Sequence, residues 1–341
     1  MSIEVEAIDT KGASDGLLEE LADYYVAVDL EDMPDDPPTP QSMRIAEWRS
    51  YPSNEPVLRW ALREDGDMAA VGVVVYDRHQ NPENGFARIH VRPERRGMGH
   101  ARELAGPMFQ HLGEMGRSRI DTWIKQETPG EGFAEKLGMK SVYFEKRSRL
   151  WISVVDWQLM NSWIERAAER AGDYDLLYMD SPIPEEHLVA MSELTQVMNT
   201  APREDFVEED EIVTPERWRE REESVASSGN RLHILVAVHR PTGGFAGYTQ
   251  IMTQGLQPDL AWQHDTGVDP THRNKGLGRW LKASMILRII DEFPEVTRVD
   301  TFNAGSNEPM LNINVAMGFR PVHLSNAWQG DLETMQLSLG V

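Results

Sequence analysis

Residues 268–281 read Val268-Asp-Pro-Thr-His-Arg273-Asn-Lys-Gly276-Leu-Gly278-Arg-Trp-Leu281, and this stretch indicates the fold most clearly. The apolar run before it is typical of a strand end, and Asp269-Pro270 is typical of a turn. After the glycine bend, apolar residues recur at helical spacing, at positions 281, 285, 286, 289 and 290. A glycine bend between a strand and a helix leaves the first-turn N–H groups without intrahelical partners, at the positive end of the helix dipole. The stretch therefore predicts an anion-binding site at a helix N-terminus.

The same pattern occurs a second time, 177 positions earlier. Residues 91–101 read Val91-Arg-Pro-Glu-Arg-Arg96-Gly-Met-Gly99-His-Ala101, with Arg96, Gly99 and Ala101 standing where Arg273, Gly276 and Gly278 stand. Downstream, Leu-Gly-Met and Met-Gly-Phe segments are centred on Gly138 and Gly318, 42 and 45 residues after the two arginines. Upstream, Thr-Pro at 39–40 and 214–215 each precedes a segment with Trp-Arg. A self-similarity over half the chain indicates two copies of one domain, because solenoid repeats are only about 20–50 residues long.

The spacing Arg-x-x-Gly-x-Gly is neither a Rossmann fingerprint nor a P-loop. It resembles the pyrophosphate-binding motif of the GNAT superfamily of acyl-CoA-dependent N-acetyltransferases, and two copies resemble a tandem GNAT protein such as mycothiol synthase. The resemblance is specific at 91–101, 266–281 and 303–319. It implies a mixed α+β fold: two tandem GNAT domains, each a mostly antiparallel twisted sheet with a splayed strand pair and flanking helices.

Length and composition are consistent with this organisation. A chain of 341 residues is long enough for two domains. The net charge of −22 argues against a nucleic-acid or anionic-membrane partner, since both require basic patches. The absence of cysteine excludes disulfides, thiolate metal sites and cysteine nucleophiles, and no metal is expected. We expect a cytoplasmic protein, monomeric or homodimeric, because no signal-peptide pattern or membrane-length apolar run is present.

Linear domain boundaries follow from the pattern of elements. We predict an N-terminal GNAT-like domain over 1–156, degenerate in its site, a connecting helix over 157–172, and an active GNAT domain over 173–341. A helix capped by Thr39 or Ser42 is expected to run through Trp48, and Thr214-Pro215 should open another. One or two strands are predicted over 142–155, and strands over 320–326 and 331–339 are predicted to close the chain.

The resemblance implies that acetyl-CoA binds in the C-terminal half. Its pantetheine arm would pair with the strand that precedes the bend, where a backbone N–H polarises the thioester carbonyl. The implied cofactor-binding residues are Thr266, Gly267, Val268, Arg273, Asn274, Lys275, Gly276, Leu277, Gly278, Arg279, Asn303 and Asn307. The two asparagines resemble a family segment after the fifth strand, although Asn307 could equally be a helix cap. A second cofactor site is implied at Val91, Arg96, Gly97, Met98, Gly99, His100 and Ala101, but this half lacks the asparagines.

Catalysis by direct attack needs a base to deprotonate the ammonium of the acceptor. His264 and Asp265 are the candidates, and Asp265 could instead bind the acceptor's cationic group; Ala87 and Arg88 hold the matching positions in the first half. Many GNAT enzymes protonate the leaving thiolate with a tyrosine, but Asn314 and Ala134 occupy that position here. Tyr248 is the candidate acid among nearby hydroxyls.

The acceptor is expected to be a small, cationic primary amine. Acidic loops at 31–36 and 204–211 occupy the segments that line the acceptor site in the family. Solvated surface loops would look the same. Two alternatives stay open: a non-catalytic sensor of acyl-CoA or an amine, and a mycothiol-synthase-like or protein and peptide N-acetyltransferase.

Overall fold

The computed structural model describes residues 2–340, and within that range the chain forms twelve strands and ten α-helices. The first half comprises β1 (Ile3–Ile8), α1 (Asp15–Asp32), α2 (Gln41–Arg49), β2 (Val57–Glu64), β3 (Asp67–Val75), β4 (Asn84–Val91), α3 (His100–Glu114), β5 (Arg119–Lys125), α4 (Pro129–Lys136) and β6 (Lys140–Trp151).

The second half repeats this order after an additional helix. It comprises α5 (Trp157–Arg170), β7 (Tyr174–Asp180), α6 (Glu185–Thr195), α7 (Pro215–Ser227), β8 (Asn230–His239), β9 (Gly244–Gln254), β10 (Leu260–Val268), α8 (Leu277–Glu292), β11 (Arg298–Ala304), α9 (Glu308–Met317), β12 (Arg320–Asp331) and α10 (Leu332–Leu339). Short 3₁₀ turns lie at Pro93–Arg95, Ile152–Val154, Gln196–Thr200 and Pro270–His272. The mixed α+β fold with two copies of one element order confirms the predicted fold class.

The chain divides into two compact units that interleave along the sequence. Unit 1 contains Met1–Phe144, Arg203–Glu209 and His323–Val341, and unit 2 contains Glu145–Pro202 and Asp210–Val322. Each unit therefore takes its last strand, and unit 1 also a short loop, from the other half of the sequence. The linear boundaries at 156 and 172 remain a prediction for the sequence repeat, and they do not coincide with these spatial units. The predicted connecting helix, α5, lies within unit 2.

In unit 1 the strand order is β1-β2-β3-β4-β5-β12, antiparallel except for the pair β4 and β5. Helices α1 and α2 cover one face, where Leu18, Trp48 and Val71 are buried together. Helices α3 and α10 contribute to the core of the other face, where Leu104, Met108 and Met335 are buried. Both helix pairs bury one apolar stripe, as the sequence pattern predicts.

In unit 2 the strand order is β7-β8-β9-β10-β11-β6, again antiparallel except for one pair, β10 and β11. Helices α5 and α8 share a core with β8 to β11, containing Leu281, Ile286 and Phe319. Helices α6 and α7 cover the other face of the sheet, with Met191 and Trp218 buried. None of the helices between residues 2 and 340 combines the length and apolar character needed to cross a bilayer.

Two local predictions were wrong. Residues 331–339 are not a strand: Asp331 caps α10 by accepting a hydrogen bond from Thr334 N, and the buried residues of this helix, Leu332, Met335 and Leu339, recur at helical spacing. Residues 320–331 form one long strand instead. Pro40, which has no capping side chain, begins α2, so neither Thr39 nor Ser42 caps it. Thr214 does cap α7, as predicted, by accepting from Arg217 N.

Candidate active site

In unit 2 the parallel strands β10 and β11 pair only at their beginnings. The register runs from Leu260 opposite Arg298 to Gln263 opposite Thr301, and no pairing of β10 with β11 follows within the described strands. Thr266, Gly267 and Val268 lie in the separated part of β10, on whose other side β9 continues to pair. The predicted cofactor strand is therefore the strand that borders an opening in the sheet.

The predicted anion loop follows directly. Arg273 Nε donates to the carbonyl of Val268 at 3.0 Å, which closes the bend. Asn274 has φ of 65° and Gly276 has φ of 83°, and Gly276 is the N-cap of α8. A Cβ placed on Gly276 would meet no atom within 4 Å, so the open side of the loop faces free space. The first-turn N–H groups of α8 are thus presented to a ligand, as an anion site requires.

Other predicted loop residues have structural roles. Leu277 is buried in the core, and a Cβ on Gly278 would lie 3.5 Å from Ile313 of α9. The guanidinium of Arg279 stacks over Trp163 of α5 at 5.3 Å. Lys275 Nζ donates to the hydroxyl of Tyr174 at 2.8 Å.

A β-bulge interrupts β10 just before the separated part. Gln263 pairs with Ile251 and Thr266 with Thr249, so His264 and Asp265 together oppose one residue of β9. A comparison of the two units shows that this strand is one residue longer in unit 2 than in unit 1. Val91 is the fifth residue after Phe86, which pairs with Asp121, whereas Val268 is the sixth after Trp262, which pairs with Asp300. Strand β4 pairs with β3 without a register shift. Bulges of this kind re-aim side chains and occur next to active sites.

Gln263, which the sequence interpretation missed, holds the bulge. Its side chain is buried, and Nε2 donates to the carbonyl of Gln250 at 2.7 Å and to Thr249 Oγ1 at 3.0 Å. Thr249 in turn bonds to Thr266 Oγ1 at 2.7 Å. The amide thus satisfies a carbonyl opposite the bulge. A polar residue inside an otherwise apolar strand, Leu260-Ala-Trp-Gln263, is the signal that could have identified it.

The bulge brings the predicted catalytic residues together. The hydroxyl of Tyr248, which is fully buried, donates to Asp265 Oδ2 at 3.4 Å. Burial raises the pKa of Asp265, opposed by the nearby charges of His264 and Arg221. Burial also raises the pKa of Tyr248 well above its ordinary value, so the phenol keeps its proton.

His264 is the most accessible member of this group. Packing around the ring lowers its pKa, and the charge of Asp265 opposes the shift. Part of the residue's surface is nevertheless exposed, and hydration there limits the effect of burial. The arrangement therefore places a carboxyl group with a raised pKa beside an imidazole with a lowered pKa, and such perturbed pairs are common at acid–base sites.

The asparagines after β11 make contacts within the protein. Asn303 Oδ1 accepts from the buried Nδ2 of Asn314 at 2.6 Å. Asn307 is the N-cap of α9, its Oδ1 accepting from Met310 N at 3.4 Å. The cap that the sequence left as an alternative is thus present, and Asn314 supports Asn303.

Unit 1 contains a cavity of about 540 Å³ between its own separated strands. Its lining includes Val91, Arg96, Gly97, Gly99, His100 and Ala101 of the predicted second site, together with β5 and α4. Met98 is exposed beside the loop. Gly99 has φ of 92° and begins α3, so the loop geometry matches that of Gly276. The volume suits a small-molecule ligand.

Carboxylates neutralise the loop arginines in unit 1. Arg96 donates to both oxygens of Glu31 at 2.5 and 2.6 Å, and Arg95 lies 2.7 Å from the buried Glu64. In unit 2 the corresponding Arg273 donates instead to the neutral hydroxyl of Thr200 at 2.7 Å. The loop of unit 2 therefore keeps more of its positive charge for an anionic ligand.

The acidic loops are distributed differently from the prediction. Residues 203–209 belong to unit 1, where Phe206 contacts Trp123 and the backbone of Val207 bonds to Gln329 and Asn84. In unit 2, Glu211 accepts from Arg221 at 2.9 Å. The first predicted loop begins too early, because residues 31 and 32 end α1, and Asp32 pairs there with Arg88.

Comparison with known proteins agrees with this geometry. Residues 15–139 match the model of the Acetyltransferase (GNAT) family, and this part includes the unit 1 loop. A tandem GNAT protein from the clavulanic acid biosynthesis pathway, solved without acetyl-CoA, superposes with a TM-score of 0.79 over 97% of this chain and 99% of its own, at 22% identity.

Residues 15–139 match the GNAT family, and the whole chain has the fold of a tandem GNAT protein.

A GCN5-related N-acetyltransferase from Sphaerobacter thermophilus also shares the fold of this chain, with a TM-score of 0.70 at 15% identity over 97% of this chain and 96% of the other. No curated protein sequence matches significantly. The family match supports acyl transfer from an acyl-CoA as the general activity. The match covers the half predicted to be degenerate. Sequence similarity to the family is therefore detected in the first half, whereas the bulge with the candidate catalytic residues lies in the second half.

Proposed function

We propose that this tandem GNAT protein transfers the acetyl group of acetyl-CoA to the primary amine of a small cationic acceptor, in unit 2. The observation that carries the proposal is the bulge of β10, which joins His264 and Asp265 to a strand leading straight into the Arg273–Gly278 loop. Unit 1 has a loop of the same shape without the bulge, and Ala87 and Arg88 precede it. Acid–base residues and an anion loop on one strand are what a ternary-complex transfer requires.

The residues of unit 2 fit acetyl-CoA. When bound, acetyl-CoA supplies a thioester carbonyl that an amine can attack. The N–H groups at the start of α8 would hold its pyrophosphate, because Gly276 leaves the approach open. The separated backbone of Thr266–Val268 would hold the pantetheine arm, and an N–H donated to the carbonyl oxygen would contribute about 3–4 kcal/mol, as in comparable enzymes.

Asp265 and His264 are the two candidates for the base. The raised pKa of Asp265 makes its carboxylate a stronger base, and the lowered pKa of His264 keeps its imidazole neutral, so either can accept the ammonium proton of the acceptor. Tyr248 donates to Asp265 and fixes the direction of the carboxylate. The net charge of −22 favours the approach of a cation.

A different role is favoured for unit 1: binding acyl-CoA without turnover. Its 540 Å³ cavity reaches the glycine loop, and the family match covers this region. The ion pairs of Arg95 and Arg96 reduce the charge available to the ligand. Unit 1 is then a sensor or a structural partner for unit 2.

The test is release of free thiol from acetyl-CoA by the intact chain, against polyamines, aminoglycosides, amino acids and short peptides. We expect turnover with a cationic small amine, and a loss of about 10²-fold or more in kcat/KM for the double variant His264→Ala, Asp265→Asn. Asp291→Asn, an exposed carboxylate on α8, is the matched control. Binding of acetyl-CoA without turnover on any amine would favour the sensor alternative, and no binding would refute the proposal.

A further inference from the structure

A cluster of aromatic and basic side chains lies beside the unit 2 loop and has no part in the mechanism above. Tyr174 begins β7 and is paired in register with His239, the last residue of β8. His272, in the 3₁₀ turn before Arg273, and Lys275, in the loop itself, meet these two residues. The ring centroids of His239 and His272 are 4.9 Å apart, and each lies within 5.6 Å of the Tyr174 ring.

Two hydrogen bonds join Lys275, Tyr174 and His272. Lys275 can only donate, and it donates to the Tyr174 hydroxyl at 2.8 Å. The Tyr174 hydroxyl also lies 2.7 Å from His272 Nδ1, and either atom can supply the proton of that bond. When Nδ1 accepts, Nε2 carries the proton, so His272 keeps a donor for a ligand.

The surroundings of His272 disfavour its charged form. Burial lowers the pKa of His272, as do the neighbouring His239 and Lys275, while Asp269 opposes the shift. Asp269 is itself engaged with the backbone and hydroxyl of Thr271. The remaining charged groups at these strand ends, Arg240 and Asp175, pair with each other at 3.0 Å.

Unit 1 carries different residues at the corresponding positions. By strand register Glu64 corresponds to His239, since it pairs with Ile3 as His239 pairs with Tyr174. Arg95 precedes Arg96 as His272 precedes Arg273, and it is bound to Glu64 at 2.7 Å. Met98 stands where Lys275 stands. A buried carboxylate thus neutralises this position in unit 1, whereas unit 2 carries two imidazoles and an ammonium.

We propose that Tyr174, His239, His272 and Lys275 form a subsite for a phosphate monoester, the 3′-phosphate of coenzyme A, next to the loop that takes the pyrophosphate. A monoester is a dianion near neutral pH, with a second pKa of about 6, and is stabilised by several adjacent donors of this kind. The subsite distinguishes coenzyme A from its dephospho form. The inference rests on the proposed function, because it assumes that unit 2 binds the cofactor.

The first arm of the test is calorimetric titration of the intact chain with coenzyme A and with 3′-dephospho-coenzyme A. We expect coenzyme A to bind roughly 10-fold or more tightly, with the preference increasing from pH 8 to pH 6.5 because the phosphate raises the pKa of the imidazoles. The double variant His239→Gln, His272→Gln should lose the preference and retain the affinity for the dephospho form. Asp175→Asn is the control for a general charge change at these strand ends.

The second arm separates this subsite from the unit 1 cavity. The imidazole proton resonances of His239 and His272, assigned from the single variants, should titrate at higher pH when coenzyme A is added and stay in place with the dephospho form. Inorganic phosphate alone should move them at millimolar concentration. Equal affinity for coenzyme A and its dephospho form would refute the subsite and leave the proposed function intact. The same conclusion would follow if the histidine resonances responded equally to both forms. Binding of neither form would contradict the proposed function instead.

Discussion

Tyr248 and Asp265 are joined across strands β9 and β10 by a hydrogen bond of 3.4 Å, at the point where the β-bulge turns Asp265 out of register. The phenol is fully buried and cannot lose its proton near neutral pH, since burial raises its pKa well above the ordinary value. It is therefore a fixed donor that orients the carboxylate.

Removing that donor should impair catalysis less than removing the carboxylate. Tyr248→Phe is expected to lower kcat about 10-fold while KM for acetyl-CoA is unchanged, because only the orientation of Asp265 is lost. If Asp265 is the base, Asp265→Asn should cost about 10²–10⁴-fold. Steady-state thiol release measures both. Equal losses for the two variants would instead assign direct proton transfer to Tyr248.

The pH dependence of turnover distinguishes the two candidate bases. Asp265 has a raised pKa, so its carboxylate is progressively protonated, and activity lost, at a higher pH than for an ordinary aspartate. His264 has a lowered pKa, so it remains a neutral acceptor to a lower pH than an ordinary histidine. If Asp265 is the base, the acidic limb of kcat/KM should disappear in Asp265→Asn. An unaltered limb in that variant, and its loss in His264→Ala, would assign the base to His264.

Gln263 offers a test of the bulge itself. Replacing it with alanine leaves the carbonyl of Gln250 and the Thr249–Thr266 pair without the amide donor. We expect destabilisation of about 1–3 kcal/mol and a fall in kcat, with Gln263→Glu failing to rescue because it lacks the donor. Denaturant unfolding and thiol release report the two effects. Unchanged kcat in a folded Gln263→Ala variant would show that the bulge is held by other contacts.

The buried Asp121 in unit 1 should make local stability depend on pH. Burial raises its pKa to about 7, against hydrogen bonds from Gln329 and Asn84 that favour the charged form. Because the folded pKa is above the unfolded value, the stabilisation is complete at low pH and is lost as pH rises through about 7. In unit 2 the matching Asp300 meets Arg147 and Arg149 instead.

Amide hydrogen exchange of residues 84–91, 119–125 and 203–209, corrected for intrinsic rates, should therefore show less protection at pH 7 than at pH 5. The loss corresponds to an opening free energy lower by on the order of 2 kcal/mol. Asp121→Asn should remove the pH dependence, and Asp291→Asn should leave it. Exchange that is insensitive to pH in the unaltered chain would contradict the raised pKa.

The duplicated loops and most elements were predictable from sequence because their signals are local. The spacing of Arg273, Gly276 and Gly278 and the apolar period that follows fix a strand, a bend and a helix without tertiary information. The helix over 332–339 is short, and so few apolar residues do not distinguish a helix from a strand, although Asp331 is a local cap signal.

Tertiary contacts decide the remaining features, and these were beyond sequence reasoning. The seating of residues 203–209 in unit 1 depends on Asn84, Trp123 and Gln329, which are distant in the chain. The extra residue of the bulge is visible only once Asp121 and Asp300 fix the register of both strand pairs. The pairing of Glu64 with Arg95, and of Tyr174 with His272, likewise joins residues that no motif connects.

The most direct test of acetyl transfer in unit 2 compares matched substitutions in the two loops. Gly276→Trp and Gly99→Trp each place a bulky side chain at a left-handed position that begins a helix, with open space around it. Initial rates of thiol release from acetyl-CoA, with the best amine of the panel, should fall at least 100-fold in Gly276→Trp and much less in Gly99→Trp. The opposite order would contradict the account and assign the reaction to unit 1.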